Sequence, residues 1–152
     1  MNAARVLLIV ALAGTPLVGL AQQPPPPLAS APTNWQGVTA DVTEFKRKGT
    51  TLTLRLRLHN DGAKDSYVAF SYDKCYLLDA GAGKKYQVLK DDTGAVIGAV
   101  NSGNTEWNDT IKPSQSQTIW MKFPAPPASV KSVSLTVANT PPFDDLAIQD
   151  VP

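Results

Sequence analysis

From residue 35 onward, apolar residues recur at every second position, the period of a strand and not of a helix. The clearest run is TLTLRLRLH, residues 51–59. Leu52, Leu54, Leu56 and Leu58 fall on one face, and Thr51, Thr53, Arg55, Arg57 and His59 on the other. Four leucines at strict alternation would spread around a helix, so the run is a half-buried strand. Upstream, Val38, Ala40 and Val42 alternate with Thr39, Asp41 and Thr43. The charged turn KRKG, residues 46–49, joins the two segments into a hairpin.

Turn signals then punctuate the chain. Asn60-Asp61-Gly62 accepts positive φ cheaply, AGAG (80–83) is a loop, and Asp91-Asp92-Thr93-Gly94 and NSGN (101–104) are turns. Strands are expected at 67–72, 75–79, 85–90, 95–100 and 117–123, with Val133, Leu135 and Val137 facing inward from another and a last short edge at 143–148. Short strands with frequent turns predict an all-β fold, an immunoglobulin-like β-sandwich of about seven or eight antiparallel strands.

The segment WMKFPAPP, residues 120–127, shows how one strand ends. Ile119, Met121 and Phe123 share a parity and face the core. Pro124, Pro126 and Pro127 lack a backbone N–H, so they stop the ladder and stiffen the crossover. A polyproline ligand role is the alternative reading of the same residues.

The N-terminus sets the expected compartment. Arg5 precedes a 15-residue uncharged apolar run, Val6 to Leu20, with Gly19 and Ala21 at the spacing of a signal-peptidase site. The run is shorter than the roughly 20 residues of a membrane span and contains Pro16. Residues 1–21 therefore read as a cleavable signal peptide, residues 22–33 as a Pro-rich linker and residues 34–152 as the sandwich domain, secreted and periplasmic. No membrane span remains after cleavage. Removing 21 of 152 residues leaves 131, with thirteen basic and thirteen acidic side chains. A balanced chain argues against nucleic acid as a partner. Cys75 is the only cysteine, so no internal disulfide forms and it reads as a small buried hydrophobe.

The middle and end of the chain resemble a group of bacterial extracytoplasmic Ig-like β-sandwich domains of unknown function, some of which stand beside OmpA-like domains. The resemblance rests on Tyr76-Leu77-Leu78-Asp79 with Lys85-Tyr86, on Ile111-Lys112-Pro113-Ser114 before Trp120 to Phe123, and on FPAPP and PPFDD with Leu146 and Ile148. It covers roughly residues 36–149 and implies a sandwich in the cell envelope with no catalytic residues. Ser114 departs from it, since relatives commonly carry glycine there. No OmpA-like sequence follows Pro152, so the resemblance carries over no peptidoglycan anchoring.

Few residues offer chemistry. One histidine and one cysteine cannot supply a zinc site. Calcium needs only oxygens, which Asp91-Asp92 and Asp144-Asp145 would offer if the fold joined them, yet neither segment has EF-hand spacing. SYDK, residues 71–74, has Ser-x-x-Lys spacing, but on a strand Ser71 and Lys74 point to opposite faces. His59 at a strand end reads as a solvated histidine. No cofactor is called for.

Two tryptophans remain. Glu106 and Asp109 flank Trp107, a pattern for stacking on a sugar between carboxylates, or for a loop tryptophan folded back on the sandwich. Trp120 takes the parity opposite Ile119 and Met121, beside Lys122, and reads either as an outward partner contact or as a residue covered by a loop. The expected function is a non-catalytic binding or assembly module of the bacterial envelope. Its partner is an envelope protein, or peptidoglycan or another glycan, met by Trp120, Lys122, Trp107, Glu106 and Asp109. A hydrolase without a recognisable site is the remaining alternative.

Overall fold

The structure, a computed structural model, describes residues 25–152. The expected signal peptide, residues 1–21, and the start of the expected linker lie outside the described residues. Among the described residues no helix is long and apolar enough to cross a membrane.

The described residues hold eleven strands: β1 (Ala29–Pro32), β2 (Val38–Lys48), β3 (Thr51–Asn60), β4 (Ser66–Ser71), β5 (Tyr76–Asp79), β6 (Lys84–Gln87), β7 (Glu106–Ile111), β8 (Ser116–Pro124), β9 (Ser132–Thr136), β10 (Phe143–Ala147) and β11 (Gln149–Asp150). One sheet runs β1-β2-β3-β8, with β11 also on β2; a second runs β10-β9-β5-β6; β4 and β7 pair separately. In chain order, β2, β3, β5, β6, β8, β9 and β10 give the A-B-E over G-F-C-C′ order of an immunoglobulin-like sandwich. Each of these seven was expected, and β4 answers the strand expected at 67–72. β1, β7 and β11 were not expected.

The leucine run behaves as its alternation requires. Leu52, Leu54, Leu56 and Leu58 have no exposed surface, and neither do Ile119, Met121 and Phe123 opposite them. Leu77, Val133 and Leu135 meet them from the second sheet in one continuous core.

Three expectations about elements need correction. First, residues 29–32 of the expected linker are strand β1, bonded to the edge of β2 in register Ala29↔Val42 to Pro32↔Thr39. The Leu28 amide donates to the Val42 carbonyl, and the Ser30 hydroxyl donates to Asp41 at 2.6 Å. A short Ala-Ser-Ala segment closed by proline suits an edge position, because only one side of its backbone must pair. The domain therefore begins before residue 34.

Second, residues 95–100 form no strand. They make single bridges to Lys90 and Met121 while lying along the outer edge of β8. The Lys122 amide donates to the Ile97 carbonyl, and the Ala99 amide donates to the Trp120 carbonyl. Gly98 permits the approach, since a Cβ there would sit 2.8 Å from the Trp120 carbonyl oxygen. The segment covers an edge that would otherwise be open to pairing with another chain.

Third, KRKG is not all turn. β2 continues to Lys48, and a bulge between Val42 and Glu44 reverses its parity. Phe45 and Arg47 consequently face inward. Arg47 is 5% exposed. Its guanidinium donates to the carbonyls of Pro126 (3.1 Å), Pro127 (2.8 Å) and Val130 (3.1 Å) and forms a fork with the Asp150 carboxylate. The proline cluster thus ends β8, as its lost N–H groups require, and then wraps its carbonyls around a buried cation. Asp150 belongs to β11, which leaves the second sheet after β10 and pairs parallel with β2.

Candidate functional site

The outer face of β2-β3-β8 carries the strongest of the sequence candidates. Trp120 stands directly across from Arg55, and Lys122 across from Thr53. Trp120 and Lys122 are each half-buried, while Arg55 is exposed. Glu44 accepts from Lys46 at 3.2 Å and lies 3.6 Å from Arg55. Arg57 grips the buried Asp41 carboxylate at 3.1 and 2.7 Å. The more exposed Glu44 pairs contribute about 0–1 kcal/mol each. Lys46, Arg55, Arg57 and Lys122 outnumber Asp41 and Glu44, so the face is cationic around one indole.

Trp107, Glu106 and Asp109 do not form the expected site. They lie in β7, a strand the sequence reading took as loop. Trp107 is 7% exposed and packs against Phe70, with ring centroids 5.9 Å apart. It is therefore a core residue and presents no stacking face to a sugar. Glu106 and Asp109, three apart on a strand, point to opposite faces and cannot act on one substrate. The Asp109 carboxylate instead accepts from the Thr110 amide.

The register brings together three residues that the sequence reading kept apart. His59 lies across from Ser116, with Nδ1 2.7 Å from the Ser116 hydroxyl, and its Nε2 is 2.9 Å from an Asp61 oxygen. A hydroxyl, an imidazole and a carboxylate in sequence are the parts of a nucleophile relay. Acyl transfer also needs donors aimed at a developing oxyanion and a cavity that holds the acyl group. These three exposed or half-buried side chains sit on an open strand end, and the grooves described below are lined by other residues. Cross-strand pairing signals could have located the contact, had the register been known.

The aspartate-rich turns hold no joint site. Asp91 accepts from the Thr93 amide and hydroxyl and from the Ala95 amide, and these bonds hold its carboxyl below the usual range. Among the described residues no three His, Cys, Asp or Glu side chains gather as a metal would need.

Cys75 is fully buried and free. Burial pushes its thiol up to about 11, with the Asp73 carboxylate adding to the rise and a backbone hydrogen bond at Ala138 opposing it. Thiolate, the reactive form, is therefore scarce at neutral pH. Ellman's reagent is expected to leave the native protein unmodified at pH 8 and to label one thiol per chain once urea unfolds it. Full labelling of the native protein would show that Cys75 is accessible.

Of the grooves elsewhere on the surface, two bear on ligand binding. One of about 790 Å³ lies between β6 and the exit of β8, lined in part by Tyr72, Lys84, Tyr86 and Pro124. A smaller one of about 370 Å³ follows the outer face of β4 and β7, lined by Tyr67, which is 63% exposed, and further along the strands by Asn108 and Glu106.

No family model matches this chain, and no curated protein matches it. Two solved structures are similar in part. A functionally unknown protein from Listeria monocytogenes EGD-e shares 13% identity over 78% of this chain and 84% of its own, with a TM-score of 0.43. The ASH / PapD-like domain of human CEP192 shares 13% identity over 99% of this chain and 98% of its own, with a TM-score of 0.36. Likenesses at these scores carry no argument about what this protein binds or does.

Proposed function

We propose that this protein is a non-catalytic binding or assembly module of the bacterial cell envelope, secreted to the periplasm. Its contact surface is the outer face of β2-β3-β8. The observation that carries this reading is the outward indole of Trp120, flanked by Arg55 and Lys122 on a broad antiparallel face. Tryptophan and arginine are the residues most enriched where protein interfaces concentrate their binding energy. The compartment is supported by the apolar run Val6 to Leu20 before Ala21 and by the resemblance to extracytoplasmic sandwich domains.

Trp120→Ala tests the reading directly. The inward neighbours Ile119 and Met121 keep the strand in place, so the variant is expected to unfold within about 1 kcal/mol of the parent. Its captured envelope partner is expected to dissociate at least roughly tenfold more readily, the effect of losing an aromatic anchor. Equal retention of the partner by parent and variant would remove Trp120 from the contact.

The glycan reading keeps one supporting observation, now at a different residue. Tyr67, not Trp107, is the exposed aromatic side chain on the β4–β7 face, in a groove that Glu106 and Asn108 also line. Its ring offers a π face to the C–H groups of a sugar, with carboxylate and amide within the same hollow.

A further inference from the structure

The groove between β6 and the exit of β8 has features that the Trp120 face does not explain. β6 is the edge strand of the second sheet. Beyond it, the Leu89 amide donates to the Lys122 carbonyl, so the chain crosses to the first sheet along the groove. Val88, Leu89 and Pro124 give it apolar walls. Its volume of about 790 Å³ falls within the range of small-molecule sites.

The charge along this groove is one-sided. Lys84, Lys85 and Lys90 face a single carboxylate, Asp73. Lys90 is neutralised by Asp73 at 2.8 Å. The Lys85 ammonium is turned away, 3.7 Å from the centre of the Tyr76 ring. Lys84 pairs with no carboxylate among the described residues, and its ammonium stands 5.0 Å from the centre of the Tyr86 ring.

Tyr86 supplies a second, independent observation. It is 5% exposed, and its hydroxyl is buried without a hydrogen-bond partner among the described residues. Tyr72, which lines the same groove, donates its hydroxyl to the Ala99 carbonyl and is satisfied. A buried hydroxyl left unmatched is costly, and natural structures rarely tolerate one without a reason.

We infer that this groove binds a small organic oxyanion, a carboxylate or a phosphate ester carried on an apolar body. The flexible Lys84 stem swings off the Tyr86 ring as the ligand enters. The oxyanion accepts from the Tyr86 hydroxyl and takes the Lys84 ammonium as its counter-charge. The apolar body lies along Val88, Leu89 and Pro124.

Benzoate, phenyl phosphate and the neutral benzyl alcohol, titrated separately into the ¹⁵N-labelled protein, test the site. Saturable amide shifts at millimolar ligand, confined to Lys84–Lys90 and Ala125, are expected with the two anions and not with the alcohol. The tighter of the two anions names the head group. Lys84→Gln is expected to weaken binding about tenfold, the loss of one charge-assisted hydrogen bond. Tyr86→Phe removes only the unmatched hydroxyl, so it keeps the fold and weakens binding several-fold. Trp120→Ala, on the other face, binds the anions as the parent does. The inference is overturned if neither anion gives saturable shifts at these residues, if benzyl alcohol shifts them equally, or if Lys84→Gln and Tyr86→Phe both bind like the parent.

Discussion

Arg47→Ala is expected to lower the unfolding free energy by about 3 kcal/mol, measured by urea denaturation with the slope unchanged. The guanidinium is the shared donor for the Pro126, Pro127 and Val130 carbonyls and for Asp150. Prolines have no N–H, and within the loop only the Pro127 carbonyl gains a second donor, the Val130 amide at 2.9 Å, so the Pro126 and Val130 carbonyls depend on a donor from elsewhere. Removing the cation leaves the Pro126 and Val130 carbonyls unmatched and frees β11. Arg47→Lys keeps the charge but not the planar fork, and is expected to recover less than half of the loss. Acid provides a second readout. Asp150 is held down to about 2, first by its hydrogen bond from Arg47 and then by Lys131. Its folded value lies below its ordinary 3.8, so its contribution is complete above that pH and disappears as pH falls through about 2. The parent is expected to lose stability over this range, and Arg47→Ala to lose less of it. An Arg47→Ala variant as stable as the parent would show that the loop and β11 hold without the clasp.

Asn60→Ala is expected to cost a similar amount, about 3 kcal/mol, for a different reason. Asn60 has no exposed surface, and its side-chain amide is fully used. The nitrogen donates to the carbonyls of Lys64 (2.8 Å) and Ile111 (2.7 Å), and the oxygen accepts from the Gly62 amide (2.9 Å). Its own backbone accepts from Ser114 and donates to Gln115, so one residue ties the end of β3 to the end of β7 and the turn before β8. Gly37 completes the knot. Its φ is +75°, and a Cβ there would sit 2.8 Å from the Gly62 Cα. Asn60→Asp is expected to be worse than alanine, since a buried carboxylate would face the two carbonyls that the amide now serves. Thermal unfolding of the three proteins under one buffer gives the order. Asparagine, then alanine, then aspartate is the expected ranking, and an alanine variant within experimental error of the parent would contradict it.

Alternation made the sandwich legible because it survives wherever one sheet face is buried and the other wet. That holds for β3, β8 and β9, whose apolar parity matches their burial. It failed at β2 for a definite reason. The bulge after Val42 inserts one residue, and from there inward and outward positions exchange. Arg47 therefore reads as part of a charged turn although it is buried. β7 was missed because its sequence EWNDTI places polar groups on both parities, leaving Trp107 to look like a loop residue. Asn60 reads as turn chemistry, and only the packed structure shows that its side chain spans three segments. The departure at Ser114 gains a physical meaning as well. Its φ is 62°, a left-handed conformation that glycine adopts without strain.

The candidate surface divides in the same way. Trp120 and Lys122 could be placed on an outer face from parity alone. The pairing of Arg55 with Trp120, the contact of His59 with Ser116 and Asp61, and the groove beside Tyr86 depend on strand register and sheet order, which are long-range properties.

The most direct test of the proposed binding face is photo-crosslinking in the producing cells. A photoreactive side chain replaces Thr118, which is exposed on the same outer strand face as Trp120, and in a second strain replaces Tyr67 on the β4–β7 face. The proposed function predicts one dominant envelope-protein adduct from position 118, lost when Trp120→Ala is added, and none of that species from position 67. Adducts from position 67 alone, or an adduct at 118 that persists at full yield without the indole, would contradict the assignment of the β2-β3-β8 face.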